Sequence, residues 1–511
     1  MKKRGSSLTN EPPCFIINIM RGMVVFMTNC SVSAPADRFN GLQTENARIF
    51  RGIPYGKAER FKRAEPVVFP DGYNAFSFGA KSIQNPESMA GPVEGPFAED
   101  CLFLNIVCPA ENRTGAPLPV VFDIHGGAFQ TGSGNDSGLF PLVTEEGAQL
   151  IAVSINYRLG ALGYLKLDEL LGSEYGDGNL GMYDQLLALR WVKENIASFG
   201  GDPERITIHG VSAGGKSVGA MMLEPAARPL FSQAILSSGG IMAVRTPSTA
   251  RAITKKYLKI LGLCDIKEIL SCPVEKILSA QLTFAKSAGS TCLFGPVADG
   301  KLIPENWKEE IRSEKGWLGN TLIGNNLHEL VFYQMDPGIL EKAPSIAAEL
   351  FGDRAEIAVS AYESLTSGVK TDEEKKAAWV KVFSDYMYRS HGDHLAQILA
   401  ARGGKVWCYS FDFPPAHHAQ DAMTIHMGAE GGIPNPNETD EDKAAKTRIQ
   451  KAMRESFIRF ITEGVPSSSL LPEWKAVTPG HNERMHLDRT FTFDDPASPS
   501  LSGFPDDVIH L

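Results

Sequence analysis

Gly210-Val211-Ser212-Ala213-Gly214 follows the apolar run Arg205-Ile206-Thr207-Ile208 and precedes a helical stretch. The pattern is Gly-x-Ser-x-Gly at a strand-to-helix turn. Glycines lack a Cβ, so the backbone can turn tightly there and lift the Ser212 hydroxyl clear of its neighbours, in front of a helix N-terminus. A serine so placed is a candidate nucleophile. The same stretch, read from Gly210 to Gly215-Lys216-Ser217, also satisfies Gly-x-x-x-x-Gly-Lys-Ser, the loop that cradles phosphates in nucleotide-binding ATPases. That second chemistry needs a downstream apolar strand ending in an Asp that holds magnesium. Val120-Val121-Phe122-Asp123 has the look but lies upstream, and Cys408-Tyr409-Ser410-Phe411-Asp412 is a poor, distant match.

Acyl transfer by Ser212 makes three further demands. The first is a set of N–H donors for a developing oxyanion: the amide after the nucleophile, Ala213, and a glycine-rich loop leaving an earlier strand. Pro119-Val120-Val121-Phe122-Asp123-Ile124-His125-Gly126-Gly127 supplies such a strand and loop, with Gly126 and Gly127 as donors. The second is an acid between serine and histidine in the chain. The apolar run 320–323 breaks at Gly324 and reaches Glu329 in the following loop. His328-Glu329 also opens a His-Glu-x-x-His zinc pattern, but Phe332 occupies the place of the second histidine. The third is a histidine in a late loop. After the strand-like 405–411 come Pro414-Pro415-Ala416-His417-His418, and adjacent histidines rarely both face one site, so one of the two is a spectator. No Cys or Glu cluster stands nearby at ligand spacing, so neither metal nor cofactor is expected.

These residues, together with Phe50-Arg51-Gly52-Ile53-Pro54-Tyr55, Arg60-Phe61, Glu99-Asp100-Cys101-Leu102-Phe103-Leu104-Asn105, Asn156-Tyr157-Arg158-Leu159-Gly160, Gly178-Asn179-Leu180-Gly181 with Asp184-Gln185, Phe199-Gly200-Gly201-Asp202-Pro203, Pro296-Val297-Ala298-Asp299-Gly300 and Trp474, resemble the type-B carboxylesterase and cholinesterase family of α/β-hydrolases across nearly the whole chain. The resemblance implies a Ser-Glu-His triad at Ser212, Glu329 and His418. His418 is preferred to His417 because His418-Ala419-Gln420-Asp421 fits the family pattern of His, small residue, any residue, acid. The resemblance also implies oxyanion donors at Gly126, Gly127 and Ala213, and makes Lys216 the variable position of a Gly-Gly-x-Ser motif. Non-catalytic adhesion-type relatives usually lack the nucleophile or another triad residue, whereas all three are present here.

Two departures bear on substrate. The family usually carries Glu before the nucleophile, and Val211 stands there, so cationic substrates lose an attraction. No tryptophan lies between Phe61 and Asp100 to serve as a choline-binding ring. The segment Lys81 to Ser88 has no cysteine, so the extracellular relatives' disulfide to the position of Cys101 cannot form in that way. Neutral short-to-medium acyl esters are the expected small-molecule substrates.

The 511 residues, 43% of them apolar, can bury a large core, and α/β sheets often run long as one unit. A formal charge of −10 without a cationic stripe argues against nucleic-acid binding. Eight cysteines are too sparse for a disulfide scaffold in a chain this long; Cys264 and Cys272 could close a short loop in an exported protein, with reduced thiols the favoured reading. Phe15 to Met27 is apolar but too short and interrupted to span a bilayer. Residues 1–33 are read as an extension outside the fold, with 34–511 as one domain in the cytoplasm and secretion as the alternative. Strands are expected at 119–124, 150–155, 205–209, 233–237, 320–324, 405–411 and 484–487, and a helix at Met182 to Phe199 ending at Gly200-Gly201. Their alternation gives a large, mostly parallel sheet flanked by helices, with the site beyond the strands' carboxyl ends. Residues 338–400, rich in Ala, Glu and Lys, predict a helical cap or side region, and Gly428 to Lys443 a surface loop.

Overall fold

A computed structural model describes residues 15–19, 23–69, 72–88, 91–241, 244–288, 293–351, 355–427 and 438–496. The long sheet contains, in chain order, β1 (Phe15–Ile19), β2 (Met23–Ala34), β3 (Asp37–Gln43), β4 (Ala47–Pro54), β5 (Phe103–Pro109), β6 (Leu118–Ile124), β7 (Ile151–Ile155), β8 (Gly201–Val211), β9 (Gln233–Ser237), β10 (Asn320–Asn326), β11 (Val406–Phe411), β12 (Arg484–Leu487) and β13 (Phe491–Asp494). Their order across the sheet is β1-β2-β3-β4-β5-β7-β6-β8-β9-β10-β11-β12-β13. The run from β7 to β12 is parallel, and antiparallel strands finish both edges.

The central strands β6, β7 and β11 are buried along their whole length, as expected of parallel strands covered on both faces. Side chains alternate across the sheet. Val120, Phe122 and Ile124 of β6 therefore enter one apolar cluster and Val121 the other. The first cluster is closed by α1 (Leu180–Asn195), α2 (Ala213–Leu223), α3 (Pro247–Leu261) and α4 (Val274–Ala288), through side chains such as Leu189, Met221, Tyr257 and Phe284. After residue 338 come α5 (Ile339–Phe351), α6 (Ala355–Thr366), α7 (Asp372–Ser384), a π turn (Asp385–Arg389) and α8 (Ser390–Ala401). Trp379, Phe383 and Tyr388 share a third cluster with α5 and α6, so this helical region has an apolar centre of its own. Farther along, α9 (Gln420–Met427) and α10 (Asp440–Glu463) close the second cluster with Ile425, Met453 and Phe457.

The expected strands and helices appear with boundaries moved by a few residues, and some expectations change. The apolar stretch after Cys14 forms strands rather than an extension: β1 pairs with β2, and β2 pairs with β3 from Thr28↔Gln43 to Ala34↔Asp37. The boundary at residue 33 thus falls inside a strand, because its partner arrives only after the turn. α1 ends at Asn195 and continues as a 3-10 turn to Phe199, with Gly200 left-handed at φ 94°. Residues 428–437 of the expected loop lie outside the described residues, and α10 already begins at Asp440, where Thr439 and Asp442 form a reciprocal cap. Cys264 is exposed and Cys272 buried, and both are free thiols; Cys101 is also free and buried. Among the described residues no helix is long and apolar enough to cross a membrane.

Candidate active site

β6 and β8 are neighbours, in register at Asp123↔His209 and Ile124↔Gly210. That register carries the His125-Gly126-Gly127 loop alongside Ser212. β8 runs to Val211 and α2 starts at Ala213, so Ser212 alone makes the turn, at φ 58° and ψ −118°. A non-glycine residue there costs on the order of 1–3 kcal/mol, held by its surroundings. Its N–H donates to the Ser237 carbonyl at 2.9 Å, and its carbonyl accepts from the Lys216 N–H at 2.9 Å. The flanking glycines are required by contact: a Cβ on Gly210 would sit 2.2 Å from the Gly214 carbonyl carbon, and one on Gly214 1.9 Å from the Ile124 oxygen. The phosphate-loop reading fails on this geometry, since no loop separates strand from helix and Lys216 and Ser217 are buried on α2.

The glycine loop touches the Ser212 turn. A Cβ on Gly126 would lie 2.6 Å from the Val211 oxygen and 3.3 Å from the Ser212 Cβ. Gly127 has φ +106°, which a side chain would strain. The Tyr157 hydroxyl donates to the His125 carbonyl at 2.8 Å, and the two rings stack at 4.5 Å, which fixes where this loop leaves β6. Ala213, as the first residue of α2, carries one of the amides that a helix leaves without an internal partner.

Glu329 and His418 come from loops after the adjacent strands β10 and β11. The two loops stay together beyond the sheet, where His328 and His417 form a parallel bridge and the His328 N–H donates to the Ala416 carbonyl at 2.9 Å. His418 Nε2 lies 2.8 Å from Ser212 Oγ, and its Nδ1 lies 2.5 Å from Glu329 Oε2. His417 turns its Nδ1 to the His418 carbonyl at 2.9 Å and makes no hydrogen bond to Ser212. Glu329 is buried, yet its other oxygen accepts the Ser238 hydroxyl at 2.6 Å and the Asn326 N–H at 2.8 Å. Burial works against its charge, but His418 and these two donors outweigh it and hold the carboxyl below its ordinary range.

Behind the carboxylate lies a polar layer that sequence reasoning missed. The Asn326 side chain donates to Ser238 at 3.2 Å and to Asp421 at 3.0 Å, and the Tyr409 hydroxyl donates to Asp421 at 2.7 Å. Burial and the nearby Glu329 push the Asp421 carboxyl up, opposed by the Tyr409 and Asn326 donors. A signal for Ser238 existed: Ser237-Ser238-Gly239 ends an apolar strand, where parallel sheets place their sites. Nothing in the spacing of Tyr388 signalled that its ring would lie 5.0 Å from that of His418.

A mostly parallel sheet with a strained serine between β8 and α2, opposed by a glycine loop from β6, defines an α/β-hydrolase. The model of the carboxylesterase family matches residues 31–499, and the chain belongs to that family. It is 31% identical to the phenmedipham hydrolase of Pseudarthrobacter oxydans over 90% of this chain and 93% of that protein. It is 30% identical to the para-nitrobenzyl esterase of Bacillus subtilis over 92% and 98%. Among solved structures, a Geobacillus stearothermophilus carboxylesterase superposes with a TM-score of 0.76 at 31% identity, covering 91% of this chain and 97% of that one. The protein is a serine carboxylic-ester hydrolase.

Proposed function

We propose that Ser212, His418 and Glu329 act as nucleophile, general base and orienting acid in the hydrolysis of neutral short-to-medium acyl esters. The observation that carries this reading is the continuous chain of hydrogen bonds from Ser212 Oγ through both imidazole nitrogens to a buried carboxylate. His418 takes the hydroxyl proton as Ser212 attacks the ester carbonyl, while the Gly126, Gly127 and Ala213 amides receive the oxyanion. Each such donor is worth about 3 to 4 kcal/mol. His418 then protonates the leaving alcohol, and water releases the acyl group by the reverse proton path, with Glu329 stabilising the imidazolium throughout. Neutral substrates follow from Val211, which leaves no carboxylate directly before the nucleophile. Relatives named para-nitrobenzyl esterase and phenmedipham hydrolase support small organic substrates. The unpaired Cys264 and Cys272 support residence in the cytoplasm.

Ser212→Ala should abolish turnover of p-nitrophenyl esters, and an organophosphate should label this one serine in the native enzyme. Labelling of another residue, read by peptide mass spectrometry, would overturn the assignment. A panel of p-nitrophenyl esters of rising chain length sets the acyl preference.

A further inference from the structure

Lys216 and Tyr388 have no part in the proton path. Lys216 sits in the first turn of α2, four residues past Ser212, and only 6% of it is exposed. Its Nζ lies over the Tyr388 ring, 5.0 Å from the centroid. The Tyr388 ring in turn meets the His418 imidazole at 5.0 Å and 48°. A continuous line of contacts therefore runs from the nucleophile's own helix, through an ammonium and a phenol ring, to the imidazole that faces the nucleophile.

We propose that Lys216 and Tyr388 are positioning residues that fix the plane of the His418 imidazole relative to Ser212. The proposal rests on the reading of His418 as general base. Hydrogen bonds at Nδ1 and Nε2 and the covalent bond to Cβ hold the edges of the ring, and the Tyr388 ring adds a contact against it. The His418 side chain is only 27% exposed, so a packed neighbour limits how far it can tilt away from Ser212. Tyr388, itself buried, covers the imidazole, and the cation over its own ring holds it there.

The backbone makes a second, independent case. Tyr388 lies on the π turn Asp385–Arg389 between α7 and α8. Such insertions are rare and concentrate at functional sites, because one added residue rotates the following side chains onto a new face. This turn is pinned by Asp385, which receives Lys381 at 2.8 Å and Arg389 at 3.0 Å. The lysine that completes a phosphate-loop pattern in the sequence thus acquires a role unrelated to phosphate.

The test is steady-state hydrolysis of p-nitrophenyl butyrate by the full-length enzyme and four single variants, with circular dichroism and melting to verify folding. Tyr388→Leu and Lys216→Met should each lower kcat about tenfold and leave KM within about twofold, the signature of a misaligned base rather than a lost substrate contact. Tyr388→Phe keeps the ring and Lys216→Arg keeps a cation over it, so both should recover most of that loss. In the double variant Lys216→Met/Tyr388→Leu the two losses should not add, because either one already breaks the line of contacts. Wild-type kcat in both disruptive variants would overturn the proposal, as would losses that add or that the conservative variants do not restore. If Lys216→Met fails to fold, the Tyr388→Leu and Tyr388→Phe pair decides alone. Turnover surviving in Ser212→Ala would instead remove the underlying reading, so the two failures are distinguishable.

Discussion

Replacing Glu329 by Gln removes one charge and no heavy-atom contact, and the surroundings dictate how the new amide must sit. Glu329 Oε1 is approached by two donors, the Ser238 hydroxyl at 2.6 Å and the Asn326 N–H at 2.8 Å. The amide oxygen must take that place, which turns the NH2 group toward His418 Nδ1. An NH2 there needs a lone pair on Nδ1, so the ring proton moves to Nε2, the nitrogen 2.8 Å from Ser212 Oγ. His418 then cannot accept the serine proton without first changing tautomer. The lost charge adds to this: opposite unit charges about 4 Å apart interact by about 4 kcal/mol at an effective dielectric of 20. Together these give a fall in kcat of roughly 10³ to 10⁴, with KM little changed. The assay is hydrolysis of p-nitrophenyl butyrate at pH 7.5, with Ser212→Ala as the floor and near-ultraviolet circular dichroism to establish an intact fold. A folded Glu329→Gln enzyme with kcat within tenfold of wild type would refute the role given to the carboxylate.

Other consequences can be checked on stability. Gly214→Ala should cost about 3 kcal/mol or more, since its Cβ would meet the Ile124 carbonyl oxygen at 1.9 Å and that oxygen belongs to a central strand. Urea unfolding measures this, and a wild-type midpoint would contradict the close approach of β6 and α2. His426→Phe should flatten the acid side of the stability profile. Burial pushes the His426 imidazole from 6.5 down to about 4, so between those values the unfolded chain binds a proton that the folded one does not, and stability falls as pH falls. The loss between pH 6.5 and 4 should be about 2 kcal/mol, discounted because the residue as a whole is only half-buried although its ring Nε2 is enclosed. Melting temperatures at pH 7 and pH 5 test it; equal drops in wild type and variant would exclude His426 as a contributor. His125, which burial also pushes to about 4, leaves a residual slope in both proteins.

Those parts of the fold that depend on local pattern were legible in the sequence. β6, β8, β9, β10, β11 and β12 fall on apolar runs bounded by glycine or polar residues, and Ser212 is marked by glycines that the packing requires. What escaped depends on distant partners. β1 and β2 look like an ill-formed apolar leader until β3 supplies the ladder for the second of them. β5 is recognisable only as the antiparallel neighbour of β4 and β7. The Ser238 to Glu329 bond joins residues 91 positions apart, and the contact of Tyr388 with His418 requires the π turn. Lys216 offered a second match that the geometry excludes: a motif carries no information on whether one residue or a whole loop separates strand from helix.

The chain order of the site residues follows from the sheet. β8, β9, β10 and β11 are consecutive neighbours, all parallel, and they deliver Ser212, Ser238, Glu329 and His418 respectively from their carboxyl ends. Adjacent strands lie about 4.8 Å apart, so Ser212 and His418 start some three strand spacings from one another, about 14 Å. The histidine loop must reach back across that gap, and it runs beside the loop after β10, where Glu329 receives the Ser238 hydroxyl that β9 delivers. The strand that carries the acid therefore lies between those that carry serine and histidine, matching their order in sequence, whereas at the site the imidazole stands between the hydroxyl and the carboxylate. The six residues between Phe411 and His418 provide the reach, and the bridge between His328 and His417 sets its direction.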